Sequence, residues 1–379
     1  MQVPERIVIG AGPAGSAVAL LLARAGQPPL LLERSARLRT RLCGEFISGE
    51  AAASLAALGV DVVKLGGQPT HGLRLACGSQ LIEAELPFTV YGLSRGMLDS
   101  ALQARAQAAG VLLWRGARAG VRQLAAADDR AHRLHITTTG GMAPELPART
   151  LLLACGKTDI AALQRQPRRE PEPLIGLQLH LRLLPQQMRS LRGHVEVMLF
   201  DSGYGGLQPV ERDRVNLCLL LRRGPQGVRL PALLQALGRE CPLLAQRLQG
   251  ASGANASPRS IFRVPYGYLH RASTQDPPRL WRLGDQAAVI PSFTGDGVAI
   301  ALHIATVAAQ ELLAGATAQH YHQRLRRELI GQMIRAQLLY ELGRHRPLRG
   351  ALLPLLRRWQ ALLGWLARIT RVDPAALRL

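Results

Sequence analysis

Three glycines and one acid open the chain in an arrangement that can hold a charged ligand. "GAGPAG" sets Gly10, Gly12 and Gly15 at the GxGxxG spacing, with Pro13 and Ala14 between them, and Glu33 follows 18 residues after Gly15. At this spacing the first glycine permits a tight turn and the second lets backbone approach a pyrophosphate. The third lets a helix sit close on a strand. The phosphates then rest on free N–H groups at a helix N-terminus. A carboxylate at the tip of the next strand accepts hydrogen bonds from an adenosine ribose and opposes a 2′-phosphate there. The pattern points to a dinucleotide and by itself leaves FAD and NAD both open.

A second constellation lies far along the chain. "LWRLGD" ends in Gly284 and Asp285, and "PSFTGDG" places Gly295 and Gly297 before a long apolar run. Asp285, just past a strand, can accept hydrogen bonds from a ribityl chain. Gly295 and Gly297 remove side chains where a flat ring could approach, and the helix beyond them aims its positive end at that ring. Reduced flavin is anionic at its pyrimidine edge, so such a dipole stabilises it.

These residues need elements to position them. "RIVIG" reads as a buried parallel strand, "SAVALLLARAG" as a helix with Gly26 beyond its end, and "PPLLLER" as a second buried strand, a βαβ unit. "YGLSRGMLDSALQARAQAAGV" (Tyr91–Val111) reads as a strand end and a helix capped by Ser94, and "ARTLLLACGKTDI" as a strand ending in a glycine turn. Residues 70–88, Leu174–Leu183, His194–Phe200 and Arg214–Leu221 alternate with period two, which predicts a mainly antiparallel sheet with one face on a core. "LPALLQALGREC" is a short helix on that sheet, and Leu163–Pro173 is a linker by composition. The expected fold is α/β: a Rossmann-like domain (1–70, 91–163 and 260–315), an inserted antiparallel substrate lobe (71–90 and 164–259) and a C-terminal helical segment (316–379). The cleft between the lobes is the expected substrate site.

Composition narrows the function. The net charge is +21, but only Lys64 and Lys157 are lysines and aromatic residues make up 4% of the chain. Scattered arginines without a stacking surface exclude a nucleic-acid partner. Five cysteines (Cys43, Cys77, Cys155, Cys218 and Cys241) form no CxxC, which excludes a disulfide framework and a structural zinc site and fits the cytoplasm. The apolar run Ile7–Ala23 lacks a basic flank and carries turn residues, so it does not read as a signal peptide. His71, His180 and His303 stand singly, and no metal site is expected. Residues 316–379 hold twelve arginines against Glu328, Glu341 and Asp373, a net +9. Within Pro354–Ile369 a leucine-rich side faces arginines, as in a helix laid on the Rossmann-like domain or, alternatively, on a membrane surface.

GxGxxG with a terminal Glu, followed by a late "GD…P…TG.G" element, resembles the superfamily of FAD-dependent aromatic hydroxylases, geranylgeranyl reductases and flavin-dependent halogenases, over roughly residues 5–315. The resemblance implies non-covalent FAD held by Gly10, Gly12, Pro13, Ala14, Gly15, Glu33, Arg34, Arg95, Gly156, Gly284, Asp285, Gly295 and Gly297. It places "RLCGEFISGEAAASLAALGV" (Arg41–Val60) beside the isoalloxazine, with Cys43 and Glu45 as catalytic candidates, and has Arg95 reach the flavin chain. Two departures bear on the reaction. Cys155-Gly156-Lys157 stands where hydroxylases carry an acidic element that contributes to pyridine-nucleotide contacts, so a partner flavin reductase competes with NAD(P)H as electron donor. The halogenase WxWxIP motif is absent, its nearest counterpart being "FRVPYGY" (Phe262–Tyr268). The expected activity is monooxygenation of an apolar, phenolic or polyketide-like molecule. The alternative is a geranylgeranyl-reductase-like double-bond reductase, with halogenation and a non-enzymatic flavin scaffold behind it.

Overall fold

The computed structural model of the chain describes residues 5–38, 41–125, 131–138, 141–167, 173–222, 229–253 and 257–372. Residues 168–172 of the expected linker and 373–379 of the C-terminal segment lie outside the described residues.

The run Arg6–Ile9 is the central strand of a five-stranded sheet. The order is Leu280–Arg282, Thr150–Leu153, Arg6–Ile9, Leu30–Glu33 and Leu112–Arg115, with every neighbouring pair parallel. Alternate residues serve opposite faces. Val8, Leu31, Leu152 and Trp281 pack with the helices α1 (Pro13–Arg24), α2 (Gly49–Ala57), α3 (Arg95–Ala108) and α7 (Gly297–Leu313). Ile7, Ile9, Leu32, Leu151 and Leu153 pack on a three-stranded antiparallel meander, Arg118–Gln123, His132–Thr138 and Gly141–Ala148. The meander was not expected. Its middle strand, "HRLHITT", alternates too briefly among arginines and glycines to stand out.

The second sheet has eight strands. Their order is Arg259–Phe262, Leu174–Leu181, Arg214–Arg222, Gly203–Val210, Gly193–Phe200, Gln68–Cys77, Gln80–Gly92 and Phe46–Ile47. Pairing is antiparallel except between Gly193–Phe200 and Gln68–Cys77, which run parallel. The strand Gly203–Val210 is an addition to the expected set; its three glycines hide it. One face, with Leu179, Leu181, Met198, Phe200, Leu217 and Leu219, is covered by α4 (Pro185–Leu191), α5 (Leu230–Glu240) and α6 (Pro242–Leu248). The other face, with Val197, Leu199, Tyr204, Gly206, Cys218 and Leu220, looks into a cavity.

The C-terminal segment departs from expectation. α8 (Ala318–Arg344) packs on the parallel-sheet side, where Tyr321 stacks near Trp281 and its Oη donates to the Arg282 carbonyl at 2.9 Å. The expected single helix over Pro354–Ile369 is broken at Trp359 into α9 (Arg346–Arg358) and α10 (Gln360–Ile369). These two do not lie on the Rossmann-like core. Leu353, Leu356 and Leu363 pack on Leu75, Ile82 and Ala84 of the eight-stranded sheet, because that sheet leaves an apolar face which the parallel sheet, already covered on both sides, does not. Arg349 fixes the arm by donating to the Phe200 carbonyl at 3.1 Å and to Asp201 at 2.8 Å.

Candidate functional site

Two cavities meet between the sheets. The larger, ≈ 1320 Å³, runs along the carboxyl ends of the parallel strands. Gly10, Gly12, Pro13, Ala14, Glu33, Arg34, Arg95, Gly156, Gly284, Asp285 and Gly297 all line it. Gly15 lies behind the wall. A Cβ there would come 1.9 Å from the Gly10 carbonyl oxygen, so its hydrogen is what lets α1 sit on the turn. Gly10 takes φ +107°, where side chains are strained, and a Cβ would meet the Ala154 carbonyl oxygen at 2.4 Å. Gly12 differs: its Cβ would find only the Arg95 guanidinium, at 3.5 Å, and would project into the cleft. α1 starts at once after it with no side-chain cap, leaving its first N–H groups for a ligand. The cradle is thus backbone, open and dipolar, and it fits the pyrophosphate of FAD.

The charged groups around the cradle hold one another. Glu33 Oε2 accepts from the Ala11 N–H at 3.3 Å, and Oε1 accepts from Ser35 N–H and from Arg41 at 2.7 Å. Arg95 makes a two-pronged contact with Asp99, 3.0 Å at each prong. Burial alone would lower the pKa of that guanidinium, but Asp99 outweighs it and the value is raised. Asp285 Oδ2 accepts from Lys157 Nζ at 2.9 Å. Burial works against the ammonium, yet Asp285 holds the Lys157 pKa above its ordinary value. Burial pushes the neighbouring Cys155 thiol up to about 11, so it stays protonated.

The smaller cavity, ≈ 300 Å³, is apolar and lies between the eight-stranded sheet and the C-terminal helices. Gly295 lines it, and Cys43, Lys157, Asp285 and Gly297 line both cavities, marking the junction. Of the two catalytic candidates, Cys43 stands at that junction and Glu45 on the apolar side. Glu45 is fully buried at φ +58°, and both of its oxygens are engaged. Oε1 accepts from the Arg95 N–H at 3.1 Å, and Oε2 lies 2.7 Å from His180 Nε2.

The sheet clamps this loop. Gln178 and Asn216 donate to the Cys43 carbonyl at 3.0 and 3.1 Å, and Asn216 and Gln208 donate to the Gly44 carbonyl at 2.8 and 2.7 Å. Those amides come one from each of three neighbouring strands, and nothing local in the sequence signalled them. The three histidines lie apart from one another, each with its own partner: His180 meets Glu45, His303 meets Glu328 at 2.8 Å, and His71 meets Thr89 at 3.3 Å.

Two further groups escaped the sequence reading. Ser292 Oγ lies 2.6 Å from Tyr204 Oη and 2.5 Å from Tyr266 Oη, a hydroxyl cluster on the cavity wall beside Phe293 and Tyr340. Burial raises the Tyr266 pKa and so keeps that phenol protonated. At the start of α7, Asp296 is fully buried and accepts from Gln332 at 3.0 Å and from Arg371 at 2.5 Å. Burial pushes its carboxyl up to about 6 against the pull of Arg371.

No family model matches the chain. A menaquinone reductase of Mycobacterium tuberculosis is 26% identical over 320 residues, 81% of this chain and 76% of that protein. Among solved structures, the myxobacterial chondrochloren halogenase CndH, an FAD-dependent halogenase, superposes with a TM-score of 0.76 at 20% identity, over 92% of this chain and 84% of that one. PqsL, a probable FAD-dependent monooxygenase from Pseudomonas aeruginosa, gives 0.72 at 16%, over 92% and 99%. The structural likenesses carry the fold, a parallel Rossmann-like sheet with a mixed substrate sheet and C-terminal helices. The sequence relative and the cradle agree with an FAD-dependent oxidoreductase, and the chain is similar to the halogenases, monooxygenases and reductases that share this fold.

Proposed function

We propose that the protein saturates a carbon–carbon double bond of a long apolar, isoprenoid-like molecule, adding two hydrogens rather than oxygen. One observation carries this reading. The apolar cavity begins at the junction with the nucleotide cleft, at Cys43, Lys157 and Asp285, and continues to Leu352, Leu356, Leu363 and Leu366 on α9 and α10. A lining so rich in leucine suits a hydrocarbon, which makes apolar contacts along its length. The likeness to a menaquinone reductase supports the same choice.

FAD, when bound, supplies the hydride for such a reduction. The cradle of Gly10, Gly12 and the α1 N-terminus would hold its pyrophosphate, Glu33 its adenosine ribose and Asp285 its ribityl chain. The other carbon of the double bond needs a proton, and the Tyr266 hydroxyl is placed to give one: it faces the cavity and stays protonated through burial. Ser292 and Tyr204 orient it. Glu45 and His180 fix the 43–45 loop at the junction, and Cys43 contributes packing there. Reducing equivalents would come from a partner reductase or from a transient nicotinamide in the open cleft.

A hydroxylase acting on a phenolic or polyketide-like substrate is the second reading. The aromatic group Tyr204, Tyr266, Phe293 and Tyr340 favours it, since the rings could flank a flat substrate. Product mass decides between the readings. Turnover of prenyl substrates by chemically reduced, oxygen-free enzyme should add two hydrogens; a product carrying one added oxygen, formed only in air, would replace the reductase reading with the hydroxylase one.

A further inference from the structure

We infer that the outer side of the α9–α10 arm seats the protein on an anionic lipid bilayer. The inference does not depend on which reaction the flavin site performs. The two helices carry two apolar sides. Leu353, Leu356 and Leu363 are spent on the eight-stranded sheet. On the outside, Leu348, Leu355, Trp359 and Trp365 remain 47%, 39%, 58% and 54% exposed. Leu348 and Leu355, seven residues apart, share one side of α9, and Trp359 at the break and Trp365 on α10 stand exposed beyond them.

Arg357, Arg358 and Arg368 are exposed along the same arm and meet no carboxylate among the described residues. Apolar residues with tryptophan at a water boundary, flanked by free arginines, match the chemistry of a bilayer interface with acidic headgroups. A second copy of the chain is a poor occupant, because a two-fold contact would bring this arm against itself and set its arginines face to face. A nucleic acid would leave the leucines and tryptophans without a use.

The placement ties docking to the cavity. Leu352, Leu356, Leu363 and Leu366, on the inner sides of the same helices, wall its far end. One layer of helix therefore separates lipid from the apolar cavity. Among the described residues no helix is long and apolar enough to cross a membrane, so the contact is with the surface.

Flotation of the FAD-loaded protein tests the inference, using vesicles of phosphatidylcholine alone and vesicles doped with phosphatidylglycerol. The protein should float with the doped vesicles and stay behind with the neutral ones. Replacing Arg357→Gln, Arg358→Gln and Arg368→Gln should weaken that binding about fivefold per arginine, and added salt should do the same. Trp359→Ser with Trp365→Ser should abolish flotation while flavin stays bound. Equal partition onto both vesicle types, no flotation, or wild-type flotation by the triple arginine variant would overturn the inference. So would a dimer in solution that the double tryptophan variant dissociates, which would assign these exposed residues to a second copy. Product mass, read on the same preparations, reports separately on the reductase reading.

Discussion

The two cavities share a border at Cys43, Lys157, Asp285 and Gly297, yet they are made from different material. The nucleotide cleft is a backbone construction. Its glycines, its helix N-terminus and its strand-end acid all come from stretches a few residues long. The apolar cavity is a side-chain construction, drawn from several strands and from helices that arrive near the other end of the sequence. A ligand of fixed chemistry is held by N–H groups and needs only the right turn. A variable hydrocarbon is held by surface shape, which any apolar residues of the right size can supply. The first kind of site is local in sequence and the second is not.

Gly12→Val should keep the fold and lose FAD, because its side chain enters only the cleft; Gly15→Val should lose the fold itself through the Gly10 carbonyl. Flavin absorbance after purification, beside far-UV circular dichroism, separates the two. A Gly12→Val protein that stays yellow would show that the cradle does not hold the pyrophosphate. On the other side of the border, Tyr266→Phe should lower turnover on the order of 10²-fold without changing flavin retention. An unchanged rate would remove the phenol from the reaction.

A smaller effect should come from the far wall. Leu352→Trp fills the α9 end of the apolar cavity, so kcat/KM for long substrates should drop by about tenfold while short ones react as before, a difference of the size one pocket contact commands. Equal loss for all lengths would mean that the far end does not hold the chain.

The smallest expected effect is on stability and concerns Asp296. Its carboxyl is pushed up to about 6 from an ordinary 3.8, so the folded chain binds this proton more tightly than the unfolded one. The resulting contribution to stability is absent above pH 6, grows as pH falls, and is complete below 3.8. The unfolding free energy of wild type relative to Asp296→Asn, read from denaturant melts, should therefore rise as the solution is acidified across that window, at most on the order of 1 kcal/mol per pH unit. A flat difference would mean that Arg371 keeps the carboxylate ionised throughout.

What could be read beforehand follows the same division. GxGxxG, Glu33 and the Gly295–Gly297 turn announced themselves because their chemistry depends on spacing. The βαβ unit and most strands of the second sheet followed from hydrophobic period. The Gly203–Val210 strand did not, since glycine carries no pattern, and neither did the amides of Gln178, Gln208 and Asn216, whose common target appears only once three strands align. The C-terminal arm had the right helical face and the wrong partner. Amphipathicity says that a face is buried but not against what.

The contact between Asp296 and Arg371 spans 75 residues, and the neighbouring Thr370 carbonyl accepts from Gln332 at 2.7 Å. It gives the protein an order of completion. When the ribosome has made the glycine turn and α7, the buried acid at the head of that helix still has no cation. It acquires one only after three more helices have been synthesised and the last two have folded across the second sheet. A polypeptide stopped short of Arg371 carries every glycine of the nucleotide cradle but not the cation that pairs with the acid at the head of α7.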